Sequence, residues 1–260
     1  MPRPILLIST PRSGSDWFAD DCLLWKKPEY LREYFNPMCN FFNCAVLRQA
    51  FGSEVDWANI AVPWECQEHS AEYIYAITWA RDPFRITKEN YAAFKIGFFQ
   101  RHFDCFALIG HRSHTFPGGS RPRSTEYWWE RIFQSLEFNR HLLDEPIVRL
   151  VDHATSARRT AYQRMVAAQV ILNYQTVREC LKYQIPILEY RRLVSLGTVD
   201  EVSDYLLGKI PASVMVDGLA ERILTTKRVV NKSDAYLAWD VESFAAELVE
   251  MMPTEIRHYF

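Results

Sequence analysis

Apolar residues follow two rhythms along this chain. In the first, short unbroken runs stop abruptly at polar or turn-forming residues: Ile5-Leu6-Leu7-Ile8 before Thr10-Pro11-Arg12-Ser13-Gly14-Ser15, Tyr73 to Trp79 before Arg81-Asp82-Pro83, and Ile185 to Tyr190 before Arg191-Arg192-Leu193-Val194. Runs of this length and composition fit strands buried on both faces of a parallel sheet. In the second rhythm, apolar residues recur every three or four positions. Trp17-Phe18 and Cys22-Leu23-Leu24 share a helical face after Asp16, and Tyr91, Phe94 and Phe98 do so after the turn forced by Pro83. The stretch from Thr125 to Tyr183 keeps the same spacing throughout. Helices alternating with short strands predict an α/β fold, with a central parallel sheet, helices on both faces and a helical insert in the middle of the chain. No repeat or low-complexity linker divides residues 1–260, so one domain is expected.

The junctions carry the chemistry. Ligands of open parallel sheets bind beyond the carboxyl ends of the strands, and Arg12 and Arg81 both fall at such ends. Thr10 to Ser15 reads as a strand-to-helix turn, which gathers backbone N–H groups and the positive end of a helix dipole where a phosphate can sit. Capping alone accounts for a Ser-Gly-Ser turn before a helix. It does not account for Arg12, a cation suited to holding an anion. The turn is not a Walker A loop: the second glycine and the lysine followed by a hydroxyl are missing, which disfavours ATP-type phosphotransfer.

Composition narrows the classes. With 260 residues, 48% of them hydrophobic, the chain can bury a full core. Its 30 basic and 32 acidic residues argue against an extended nucleic-acid surface. No apolar stretch approaches the ~20 residues of a membrane span, and the first run is too short for a signal-peptide core. Cys22, Cys39, Cys44, Cys66, Cys105 and Cys180 are scattered without a CxxC pair, so reduced thiols in a cytoplasmic setting, acting as small buried hydrophobes, are expected, with no metal site.

Thr10-Pro11-Arg12-Ser13-Gly14-Ser15 resembles the 5′-phosphosulfate loop of sulfotransferases that use 3′-phosphoadenosine 5′-phosphosulfate (PAPS). Trp79-Ala80-Arg81-Asp82-Pro83 is similar to the family's strand and arginine turn for the donor's 3′-phosphate. Tyr190 to Val194 resembles its later "YEDLV" strand end, and Tyr205-Leu206-Leu207-Gly208 its closing "fLG" helix. Arg32-Glu33-Tyr34-Phe35-Asn36-Pro37 and Asn231-Lys232-Ser233-Asp234 look like segments of the bacterial trehalose 2-sulfotransferase branch.

The resemblance implies a P-loop-like three-layer α/β fold and sulfuryl transfer to a hydroxyl of a carbohydrate or small molecule, without a metal. It assigns Arg12 and the N–H groups of Ser13, Gly14 and Ser15 to the phosphosulfate, and Arg81 to the 3′-phosphate. Glu33 becomes the general base. Asn90 stands where relatives carry a serine that partners the arginine. Asp16 stands where many relatives carry a hydroxyl; its carboxylate suits the first turn of a helix but would repel a bound phosphate unless turned away. The residues leave two alternatives open, a P-loop-like nucleotide kinase and a nucleotide-binding relative that has lost turnover. Other stretches read plainly: Tyr127-Trp128-Trp129 as core packing of a helix rather than a sugar-stacking wall, and Arg158-Arg159 and Lys227-Arg228 as solvated faces.

Overall fold

A computed structural model describes residues 3–11, 13–25, 30–32, 60–63, 65, 86–110, 122–156, 159–226 and 239–260. Five strands form one sheet within these residues: β1 (Ile5–Ser9), β2 (Tyr30–Arg32), β3 (Ile86–Glu89), β4 (Asp104–Ile109) and β5 (Ile187–Glu189). Their order is β2-β3-β1-β4-β5 and every neighbouring pair is parallel. The strand that precedes the Thr10–Ser15 turn is therefore central. Leu7 lies opposite Lys88 on one side, and Ser9 opposite Leu108 on the other.

Side chains alternate across a strand, and the core divides accordingly. Leu6, Ile8, Ala107 and Ile109 join a cluster with Phe98, Trp129, Ile171 and Phe244. Ile5, Leu7, Phe106 and Leu108 join a second one with Trp17, Phe18, Tyr190, Val202 and Ile223. Both faces of the sheet are thus buried, as a parallel sheet requires.

The first cluster is covered by α1 (Ile96–His102), α2 (Pro122–Phe138), α3 (Glu145–Thr155), α4 (Ala161–Lys182) and α8 (Trp239–Glu250). Helix α4 is the hub, packing against α2, α3, α8 and β4. It opens with a capping box in which Thr160 and Gln163 exchange hydrogen bonds. The second cluster is covered by a π-helix (Trp17–Cys22), α5 (Tyr190–Ser195), α6 (Val199–Leu206) and α7 (Leu219–Thr226). The π-type spacing is seen where the Leu23 N–H donates to the Phe18 carbonyl at 2.9 Å. Helix α9 (Thr254–Arg257) closes the described chain.

Three expectations change. Residues after Pro83 were expected to enter a helix through Tyr91, Phe94 and Phe98; instead Ile86–Glu89 forms β3, and the helix starts at Ile96. Strand β4 has no counterpart among the expected strands. Its sequence, Asp104 to Ile109, follows α1 after the single residue Phe103, so no turn motif announces the start of the strand. The strand expected over Ile185–Tyr190 shrinks to Ile187–Glu189, because Pro186 has no N–H for a ladder, and Tyr190 already begins α5. Between β4 and β5, α2, α3 and α4 supply the expected helical insert, with Trp129 in the core. The run Tyr73–Trp79 lies outside the described residues.

Candidate functional site

The turn after β1 is built from both neighbours of that strand. On the β3 side, the Asn90 Oδ1 accepts from the Ser15 hydroxyl at 3.1 Å and from the Ser9 hydroxyl. Asn90 is buried, as are Ser9 and Ser15, so this pair ties the end of β3 to both ends of the turn. On the β4 side, the Thr10 hydroxyl donates to Asn173 Oδ1 at 2.6 Å, and Asn173 Nδ2 donates to the Gly110 carbonyl at 3.3 Å.

Glycine is required at two points. Gly14 has φ +87°, and a Cβ there would lie 2.5 Å from Cε2 of the Tyr190 ring. That ring stands edge-on to Trp17, with centroids 5.6 Å apart. A Cβ on Gly110 would meet Ser13 Cα at 2.6 Å, so the chain leaving β4 passes directly against the turn.

The Ser13 N–H closes the turn by donating to the Thr10 carbonyl at 3.1 Å. The buried Ser13 hydroxyl, by contrast, has no hydrogen-bond partner. The Phe18 N–H donates to the Gly14 carbonyl at 3.0 Å and starts the following helix.

The Asp16 side chain is largely exposed. Its carboxylate pairs with the Lys88 ammonium, whose side chain is fully buried at the end of β3. Next to Lys88, Glu89 is also buried and accepts the Tyr91 N–H at 2.9 Å. Lys95 donates to the carbonyls of Ile60 and Val62 at 3.2 and 3.3 Å. Burial pushes its ammonium down to about 7, against the opposing pull of Glu89.

Ser13, Gly14, Ser15, Asp16 and Asn90 are thus brought together at the carboxyl end of the central strand. Arg12, Glu33 and Arg81 lie outside the described residues, as do Arg158, Lys227 and Arg228. Arg159 pairs with Glu247 at 2.7 Å and lies over the Phe244 ring at 4.4 Å. Cys22 and Cys180 are buried thiols, and burial raises the Cys22 thiol to about 12.

Sequence reasoning missed Lys88, Gly110 and Asn173. Lys88 was hidden because Lys88-Glu89 reads as the polar face of a helix rather than the buried end of a strand. Asn173 did leave a signal, being one of several amides within the mainly apolar stretch Met165–Val177 of that helix.

The arrangement can hold an oxyanion. A positive-φ glycine, a helix start, buried hydroxyls and a nearby buried ammonium converge where the chain passes from β1 into the helix. Beyond β1, the order β2-β3-β1-β4-β5 makes this the point where successive connections diverge to opposite sides, the usual crevice of such sheets. No protein-family model matches the chain, and comparisons with curated proteins and with solved structures find no match. Among the described residues, no helix is long and apolar enough to cross a membrane.

Proposed function

We propose that the chain is a cytoplasmic PAPS-dependent sulfotransferase of P-loop-like fold, acting on a hydroxyl of a carbohydrate or small molecule. The observation that carries this reading is the turn itself: Gly14 at φ +87° with the unpartnered, buried Ser13 hydroxyl, at the end of the central parallel strand. A buried hydroxyl without a partner costs about 1–3 kcal/mol, which a bound oxyanion would recover. The Ser13 hydroxyl therefore fits a sulfate or phosphate oxygen as the donor's phosphosulfate offers it.

The donor supplies an activated sulfuryl group. Its sulfur–oxygen bond to the phosphate breaks as a new sulfur–oxygen bond forms to the acceptor. The electron pair leaves with adenosine 3′,5′-bisphosphate, and the acceptor's hydroxyl proton passes to a carboxylate. Sulfuryl transfer asks a protein chiefly for alignment and charge neutralisation. Arg12 and the Ser13 hydroxyl take the phosphosulfate in this reading. Asn90 holds Ser15 in place, and Arg81 takes the 3′-phosphate. Glu33 is the base.

Calorimetric titration tests the donor. Adenosine 3′,5′-bisphosphate should bind and AMP should bind far less tightly, with Arg81→Ala removing the difference. Equal affinities in the unaltered chain refute the assignment, and preference for ATP supports the kinase alternative. Glu33→Gln should leave bisphosphate binding intact and lower transfer from labelled PAPS by ~10²-fold or more, as for a lost general base. Glu29→Gln should be nearly silent.

A further inference from the structure

Away from the turn, the C-terminal end of α4, the start of α1 and the start of α3 with residues 142–144 before it enclose a cavity of about 270 Å³. It shares no lining residue with the turn after β1, nor with Asn90, Gly110 or Asn173.

Gln175 lines this cavity. The residue is only 5% exposed, and its Oε1 is buried without a hydrogen-bond partner. Glu179, one turn further along α4, lies on the same face and lines the cavity too. Its ion pairs with Arg178 and Lys182 are each 3.8 Å long, beyond hydrogen-bond reach. Burial raises the Glu179 carboxyl, Glu65 and Asp144 push the same way, and Lys182 and Arg178 oppose them. Two acceptors whose Cβ atoms stand about 5–6 Å apart therefore line one cavity without a close donor.

The cations of the lining are already engaged. Arg178 pairs closely with Asp144 and stands 5.6 Å from the centre of the Tyr174 ring, while Lys182 lies 4.9 Å over the Tyr183 ring. Glu65, Asp144 and Glu179 against Arg178 and Lys182 leave the lining one negative charge in excess. An anion would meet two oxygen acceptors and that excess charge. The rest of the wall is largely apolar, with Pro63, Phe94, Leu142, Leu143 and Ile147, which favours a carbon chain over a bare metal ion. The volume lies just below the ~300–1,000 Å³ of drug-sized pockets, so the ligand is small.

We propose that this cavity binds a small primary alkylammonium ion. An ammonium carries three donors and no acceptor, and so supplies both Gln175 Oε1 and the Glu179 carboxylate. Its alkyl chain lies against the apolar wall. The Asp144–Arg178 pair is left as it stands. This site is separate from the turn and does not rest on the sulfuryl-transfer reading.

The test uses the full chain near pH 7 with butylamine as the probe, and butanol, butyrate and calcium chloride as comparisons. The Gln175 side-chain amide signal is assigned in a ¹H–¹⁵N spectrum by its loss in Gln175→Leu and Gln175→Met. Butylamine should shift this signal, and butanol, butyrate and calcium should not. Titration should show butylamine bound tenfold or more weakly by Glu179→Gln and by Gln175→Leu. Lys182→Ala should bind it at least as tightly as the parent, since a competing cation is gone. Gln175→Leu should melt no lower than the parent, because replacing an unpaired buried amide by an apolar group is neutral or stabilising.

A signal that ignores butylamine or answers equally to butanol would overturn the proposal. So would preferential binding of butyrate or calcium, unchanged affinity in Glu179→Gln, or weaker binding in Lys182→Ala.

Discussion

Replacing Gly14 by alanine perturbs the turn in two separable ways. The backbone there sits at φ +87°, where an L-residue costs roughly 1–2 kcal/mol. The stiffer unfolded chain returns about 0.4–1 kcal/mol of this. The new methyl would also stand 2.5 and 2.6 Å from Cε2 and Cδ2 of Tyr190. Tyr190 is buried and wedged edge-on against Trp17, so the ring cannot swing into solvent, and overpacking of this kind costs about 1–3 kcal/mol. The total is about 3 kcal/mol, or roughly 6–12 °C in Tm for a chain of about this size.

Gly208 supplies the comparison. It has φ +73° and open space around its missing Cβ, so Gly208→Ala meets the backbone cost without the clash. Urea unfolding should therefore show Gly14→Ala less stable than Gly208→Ala by about 2 kcal/mol, with a coupling of about 1–3 kcal/mol to Tyr190→Leu in a double-mutant cycle. Equal losses at the two glycines, or no coupling, would refute the claim that Tyr190 braces the turn.

Gly110→Ala meets backbone rather than a side chain, at 2.6 Å from Ser13 Cα, so titration should show bisphosphate affinity falling by tenfold or more even where the fold survives. Asp16→Asn removes a counter-charge from buried Lys88. Denaturation should report a less stable chain and calorimetry a tighter bisphosphate complex, while Lys88→Met should weaken that complex. Lys95, with its ammonium pushed down to about 7 against an ordinary 10.5, binds fewer protons folded than unfolded between those values. Stability should accordingly rise from pH 7 to 8.5 by up to about 2 kcal/mol, since one proton contributes at most about 1.4 kcal/mol per pH unit. Cys22 acts the other way above pH 9, because its folded thiol, raised to about 12, stays protonated while the unfolded one ionises. Urea midpoints across pH should rise and then fall, and Lys95→Met should abolish the rise.

Legibility in the sequence followed the source of each element's stability. Strand β1 and its turn could be read because burial, proline and glycine coincide within ten residues. Helices α2 to α4 could be read because their apolar spacing repeats over many turns. Strand β3 could not. Its four residues, Ile86-Thr87-Lys88-Glu89, place two charges in the interior, and those charges are tolerated through tertiary partners such as Asp16 that sit far away in sequence. Strand β4 was missed for a related reason: its pairing with β1 and β5 is entirely non-local. For the site, the turn between β1 and the following helix was legible from Thr10 to Ser15. The Asn173–Gly110 contact was not, because it depends on how α4 lies against β4.

Asp16 shows how one substitution acquires its meaning from another element. Two like unit charges ~4 Å apart cost about 4 kcal/mol near a protein surface, enough to cancel most of what a helix N-terminus and a few hydrogen bonds offer an anion. Read from the turn alone, the carboxylate therefore argues against a phosphate there. Lys88 reverses that inference. Its ammonium enters from β3, is itself fully shielded from solvent, and meets the carboxylate directly. Seen from the turn, the two charges together present a dipole rather than a net negative charge. The buried lysine also gains from the arrangement, since an ammonium in the interior without a counter-charge costs several kcal/mol. The pair is thus a mutual requirement: Asp16 makes a buried lysine tolerable at the end of β3, and Lys88 makes an acidic residue compatible with the anion-binding turn proposed above. On the proposed reading, a chain that kept Asp16 but replaced Lys88 should retain its helix start and bind the bisphosphate more weakly, which titration of Lys88→Met measures.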